Sequence, residues 1–205
     1  MAGSGRLIAV QGAILAGGTA SRMQGEPKGL LEVGGRRILD RLVDAFMEAL
    51  GTLPLLVANA PGAVEWRTDL RVVSDRRPGS GSLGGLYTAV IEAPAPVVSV
   101  AWDMPFVPAA LLRELALGLA NHDVCIPASG GRRGVEPLCA GYGPACGPAM
   151  AEALDRGDLR AIAFHRAVRV QVLAEEQVRQ FGDPARLFFN VNTADELVRA
   201  NGMAP

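Results

Sequence analysis

Five short runs of apolar, β-branched residues, "GAILA", "PLLVAN", "LRVVSD", "PVVSVAWD" and "HDVCIPA", recur along the chain with helix-spaced stretches between several of them. Such runs are apolar at successive positions, so both faces of each strand must be covered. A sheet buried on both faces is mainly parallel and lies between two layers of helices. The clearest helical stretch is "RRILDRLVDAFMEAL", where Ile38, Leu39, Leu42, Val43, Phe46, Met47 and Leu50 return every three or four residues on one face and Gly51 ends the run. Further helices are expected from Leu86 to about Glu92, in "PAALLRELALGLAN" from Pro108, and around "PAMAEALDRG" up to Gly157. The expected fold class is α/β, a Rossmann-like three-layer α/β/α sandwich with a mainly parallel central sheet. The glycine-rich pieces "RRPGSGSLGGL" and "ASGGRRGVEP" read as loops and divide no regions of different composition. Residues 1–205 are therefore read as one domain, with 1–6 as a flexible start.

Composition excludes several functions. A net charge of -1 and an aromatic share of 5% provide neither the positive field nor the stacking surfaces of a nucleic-acid binder, so no nucleic-acid partner is expected. No run approaches the roughly 18 apolar residues needed to span a bilayer, and the apolar start is broken by Gln11 and Gly12, so no membrane partner and a cytoplasmic location are expected. Cys125, Cys139 and Cys146 have neither metal-site spacing nor an even count, and read as reduced structural thiols. His122 and His165 read as ordinary structural or surface residues.

In a parallel α/β sheet, ligands collect beyond the carboxyl ends of the strands. Directly after the first strand comes "LAGGTASRM", where Gly17 and Gly18 permit a close backbone approach. The turn is neither GxGxxG nor a Walker A loop, and a tight connection without a ligand remains as compatible with it as a phosphate cradle. Arg22 and Lys28 lie on the same connection. Lys28 is the only lysine among 20 basic residues, and a slim ammonium fits between phosphate oxygens where a planar guanidinium would not. Asp103 ends the apolar strand "PVVSVAWD". With helix entry expected only at Pro108, its carboxylate is free to cap, to pair with a cation, or to bind a hard ion such as Mg²⁺. Asp75 ends "LRVVSD" in the same manner, as a ligand contact or a turn opener.

In order and spacing, "GAILAGGTASRMQGEPKGLLEVGG", "VVSD" with "GSLGGL", "DMPF", "EPLCAGY" and "FFNVNTADEL" resemble the molybdenum cofactor guanylyltransferases, from about residue 12 to residue 199. The resemblance implies Mg²⁺-dependent transfer of GMP from GTP to the phosphate of molybdopterin, releasing pyrophosphate. It implies a nucleotide-binding turn at Leu15, Ala16, Gly17 and Gly18, and a phosphate-binding Lys28 assisted by Arg22. It further implies GTP contacts at Asn59 and Asp75, a magnesium ligand at Asp103, and a pterin side that includes Asn190 and Asn192. Cofactor-delivering or molybdoenzyme-maturation proteins are the implied protein partners. The chain departs from the family at Met23-Gln24-Gly25, at Val57, where relatives often carry a first asparagine, and at Ser82, where a proline is common. Ala16-Gly17-Gly18 favours guanine over cytosine, since cytidylyl relatives tend to read Ala-Ala-Gly. A cytidylyl or sugar-phosphate nucleotidylyltransferase and a non-catalytic nucleotide-binding module are the competing readings. Arg132 and Arg133 either meet the acceptor's phosphate or solvate a loop.

Overall fold

The computed structural model describes residues 9–17, 22–23, 26–131 and 134–204, with only the backbone described at 22, 23 and 26. The expectations for residues 1–6, Gly18, Gln24 and Gly25, the Arg22 side chain, Arg132 and Arg133 lie outside the described residues.

Seven strands form one sheet. From one edge to the other the order is Val170–Leu173, Val124–Pro127, Cys139–Tyr142, Val97–Ala101, Gln11–Ala16, Leu55–Ala58 and Val72–Val73. All neighbours run parallel except Cys139–Tyr142, which is antiparallel to the strands on both of its sides. The period-two alternation of a strand divides the core in two. Ile14, Leu56, Val98 and Val100 face the layer of the Ile38–Leu50 and Ala109–Gly118 helices. Ala13, Leu15, Leu55, Val57 and Val97 face the layer of the Gly81–Glu92 and Cys146–Asp155 helices. The result is the expected three-layer sandwich. Gly12 lets the first helix come close, because a Cβ there would stand 2.6 Å from the Phe46 ring.

Three features differ from the sequence reading. The second helix starts at Gly81, five residues before Leu86, so part of "RRPGSGSLGGL" is helical. A side chain at Gly84 would meet Ser80 Cβ at 2.8 Å, so tight packing against the preceding turn places glycine inside this helix despite its low helical propensity. The third helix stops at Gly118 rather than running on to Asn121. Cys139–Tyr142 and Val170–Leu173 are strands that sequence patterning did not single out; Gly141 in the first and Gln171 in the second break the continuous apolar run that marks the other strands. No helix among the described residues is long and apolar enough to cross a membrane.

The chain path creates a crevice. From the central Gln11–Ala16 strand it moves outward through Leu55–Ala58 to Val72–Val73. The Gly81–Glu92 helix then carries it back to Val97–Ala101, on the other side of the first strand. This reversal is a topological switch point, where the loops leaving adjacent parallel strands diverge. Leu15 is in register with both Val57 and Ala101, so the segments after these strands emerge at one edge.

Candidate active site

A narrow cleft of about 90 Å³ lies at that edge, with Leu15, Gly17, Asp75, Gly85, Asp103 and Asn190 among its walls. Among the described residues no atom lies within 4 Å of a Cβ built on Gly17, so they leave the space beyond the first strand open. The Gly81–Glu92 helix begins at the same cleft, with Gly81 and Ser82 on its lining. Gly81 has φ +58°, which favours glycine at this entry.

Lys28 opens a short 3₁₀ turn, Lys28–Leu30, and is only 4% exposed. Its Nζ donates a hydrogen bond to Asn192 Oδ1 at 2.6 Å and lies 3.9 Å from Asp103 Oδ2. Charge therefore attracts the ammonium to Asp103, but the separation exceeds hydrogen-bond length. The next residue explains how a lysine reaches this depth. A Cβ on Gly29 would lie 2.4 Å from the Trp102 indole, so the bare backbone of Gly29 packs on the residue preceding Asp103. Trp102 is itself 2% exposed and stacked on Trp66, with ring centroids 5.1 Å apart. Gly29→Ala is accordingly expected to destabilise the fold by roughly 1–3 kcal/mol through overpacking. Thermal melting is the readout.

Asp103 follows the Val97–Ala101 strand and accepts the Val191 amide on its carbonyl at 2.9 Å. Its carboxyl Oδ1 is buried and has no hydrogen-bond partner among the described residues. Burial pushes the Asp103 carboxyl above the usual carboxylate range, and the nearby Lys28 ammonium offsets this only in part. A buried carboxylate oxygen without a donor is poised for a hard cation. Among the described residues no group of three or more His, Cys, Asp or Glu side chains could hold a metal. An ion such as Mg²⁺ takes one or two protein carboxylates and completes its shell with phosphate oxygens and water, and the donor on offer here is the unpartnered Asp103 oxygen.

At the other end of the cleft, Asp75 and Asn59 are paired twice. Asn59 Nδ2 donates to Asp75 Oδ2 at 2.7 Å, and the Asp75 amide donates to Asn59 Oδ1 at 2.7 Å. The second carboxylate oxygen, Oδ1, lies beside Gly85, within 3.9 Å of where a Cβ would stand. Asn190 lines the main cleft and also a roomier hollow of about 440 Å³, walled by Ser129, Glu136, Arg179, Asp183 and Phe188.

The structure thus brings Leu15, Gly17, Asp75, Asp103 and Asn190 to one cleft, with Lys28 beside Asp103 and Asn59 behind Asp75. Ala16 closes the first strand next to them. Asn192 does not line the cleft and instead touches Lys28. Sequence reasoning passed over Gly29, Trp102 and Glu196, although "PKGL" carried a glycine beside the lone lysine and "TADE" carries the spacing of a capping box.

The three cysteines and two histidines stand apart from the cleft. Burial pushes the thiols of Cys125 and Cys146 up to about 12, and that of Cys139 well above its ordinary value, so none is a ready thiolate. Neither histidine lines the cleft. His165 packs edge-on against Phe164 at 4.9 Å, and burial lowers its pKa.

Residues 12–171 match the model of the MobA-like NTP transferase domain. The chain is 36% identical to a probable molybdenum cofactor guanylyltransferase of Pelotomaculum thermopropionicum, over 97% of this chain and 95% of that relative. It is 31% identical to a molybdenum cofactor guanylyltransferase of Desulfosudis oleivorans, over 94% of each. Among solved structures it resembles molybdopterin-guanine dinucleotide biosynthesis protein A from Archaeoglobus fulgidus, with a TM-score of 0.77 and 25% identity. That similarity covers 94% of this chain and 97% of the other.

Proposed function

We propose, from the premise that this chain belongs to the MobA-like NTP transferase family and is a nucleotidyltransferase of molybdenum cofactor biosynthesis, that it transfers GMP from GTP to the phosphate of molybdopterin. The observation that carries this reading is the pairing of a buried ammonium with a half-buried carboxylate just past a strand end, 3.9 Å apart at the switch-point crevice. A cation and an ion-binding acid side by side suit a polyphosphate. They offer nothing to an uncharged substrate that would offset their burial.

The acceptor phosphate is ionised at neutral pH and needs no general base, consistent with a cleft that holds no histidine. One of its oxygens forms a bond to the α-phosphorus of GTP while the bond from that phosphorus to the bridging oxygen of the β-phosphate breaks. Pyrophosphate leaves with the electron pair. Lys28 holds the phosphates that become pyrophosphate and balances the charge that builds on them as the bond breaks. The Gly17 backbone lies against the nucleotide without a side chain between them. Asp103 is the residue that would hold Mg²⁺, and the ion supplies charge neutralisation at the phosphate oxygens when bound. Asn190, shared by both cavities, stands where the acceptor enters from the larger hollow.

Asp75 favours guanine over cytosine. Its Oδ2 and amide are held by Asn59, which leaves Oδ1 to accept from a base. Guanine presents two adjacent N–H donors on its pairing edge, whereas cytosine places an acceptor beside its one amino group. The deciding experiment incubates purified protein with Mg²⁺, molybdopterin and either GTP or CTP, following pyrophosphate release and the dinucleotide formed. Product from GTP with molybdopterin supports the proposal. Product from CTP alone favours the cytidylyl reading, and binding of Mg·GTP without turnover a nucleotide-binding module. Asp75→Ala is expected to lower the GTP over CTP preference by at least about tenfold, since a site built to pair with N–H donors loses discrimination once its acceptor is gone.

A further inference from the structure

The resemblance places Asn192 on the pterin side, but its side chain is engaged elsewhere. Asn192 Oδ1 accepts the Lys28 ammonium at 2.6 Å, the one side-chain hydrogen bond of Lys28 among the described residues. The main chain around it is fixed on both sides. Val191 donates to the Asp103 carbonyl at 2.9 Å, and the Asn192 amide donates to Glu196 Oε2 at 2.8 Å. Glu196 also accepts the Thr193 amide at 2.9 Å, and its own amide donates to Thr193 Oγ1 at 3.2 Å, closing a capping box at the start of the Ala194–Met203 helix. The segment is thus tied to Asp103 by its backbone and to Lys28 by a side chain, with the last helix as anchor.

We propose that Asn192 is a positioning residue for Lys28, acting on the donor nucleotide rather than on the acceptor. The inference rests on the nucleotidyl-transfer reading of the site and adds a role within it. The chemistry of the amide explains the choice of residue. A flexible four-carbon stem leaves an ammonium many positions, and a hydrogen bond to a fixed acceptor selects one. A carboxylate would do the same but would neutralise the ammonium in a buried setting and compete with the triphosphate for it. An amide oxygen holds the nitrogen in place and leaves its charge and remaining N–H donors for phosphate.

Because Lys28 is the only lysine of the chain, lysine carrying ¹⁵N at Nζ yields a single side-chain ammonium signal from the full-length protein without any ligand. In the wild type, burial and the Asn192 bond should keep that signal sharp at neutral pH. Asn192→Ala should speed proton exchange by about tenfold or more, the fold-change that loss of a hydrogen bond of about 1.4 kcal/mol produces. Asn192→Asp, which restores an acceptor, should recover the sharp signal yet lower kcat/KM for GTP.

In kinetics, Asn192→Ala should lower kcat/KM for GTP about tenfold, leave the KM for molybdopterin within roughly twofold, and have no further effect in a Lys28→Ala background. An unchanged ammonium signal in Asn192→Ala would overturn the proposal. So would a raised molybdopterin KM with effects that multiply across the Lys28→Ala background. If the wild type transfers no nucleotide, the reaction assigned above fails, while the ammonium signal still decides whether Asn192 holds Lys28.

Discussion

Lys28→Ala is expected to lower turnover by roughly a hundredfold or more, on the order of 3 kcal/mol of transition-state stabilisation, with Lys28→Arg recovering little of it. Formal charge is the same in lysine and arginine, so the arginine variant isolates shape. The ammonium sits at 4% exposure, with Asn192 on one side, Asp103 on another, and a backbone held against the Trp102 indole at Gly29. A guanidinium is planar, wider and longer, and it carries five donors into a space where the described residues offer one amide oxygen and a distant carboxylate. It must either displace Asn192 or leave this buried position. The measurement is kcat and kcat/KM from pyrophosphate release with GTP and molybdopterin, alongside melting temperature to show that each variant is folded. Wild-type rates in Lys28→Arg would show that charge alone suffices and that the single lysine of this arginine-rich chain has no special task.

Asp103→Asn should nearly abolish Mg²⁺-dependent transfer, by roughly a thousandfold or about 4 kcal/mol, while making the protein more stable. The two effects share one cause. Burial raises the Asp103 carboxyl above its ordinary value, which means that the folded state holds the proton more tightly than the unfolded chain does. A carboxyl shifted upward imposes no penalty on folding below its unfolded pKa. The penalty builds as pH rises above the unfolded value and is complete once pH exceeds the folded one. Asparagine stays neutral throughout, so Asp103→Asn removes the penalty and is expected to raise the melting temperature at pH 7. At pH 4 the gain should shrink. Mg²⁺-dependent GTP binding in the wild type should fail on the acid side through the same raised pKa, and it should fail at higher pH in Lys28→Ala, where the ammonium no longer favours the carboxylate. A variant that melts lower than wild type at pH 7 would show that Lys28 repays the burial of Asp103 in full.

Fold class was legible because it depends on local hydrophobic patterning. The runs around Ile14, Leu56 and Val98 are apolar on both faces, and no arrangement other than a covered sheet removes both faces from water. The strands Cys139–Tyr142 and Val170–Leu173 escaped because Gly141 and Gln171 interrupt their apolar runs, and the start of the Gly81–Glu92 helix escaped because its glycines carry no helical signal. The helix start depends on the contact of Gly84 with Ser80, which spacing does not report.

The candidate site divides along the same line. By itself the sequence determined which residues are chemically exceptional: one lysine among arginines, acids where apolar strands end, glycines after the first strand, and asparagines in "FNVNT". Only the tertiary structure decided their partners. Asn192 lies 164 positions from Lys28 in the chain, yet the ends of the sheet bring it within hydrogen-bond distance of that ammonium rather than into the cleft. Residue type is local, so composition and spacing expose it. Pairing across such a separation is set by how the strands order themselves and how the last helix is anchored, and these follow from packing the whole core at once.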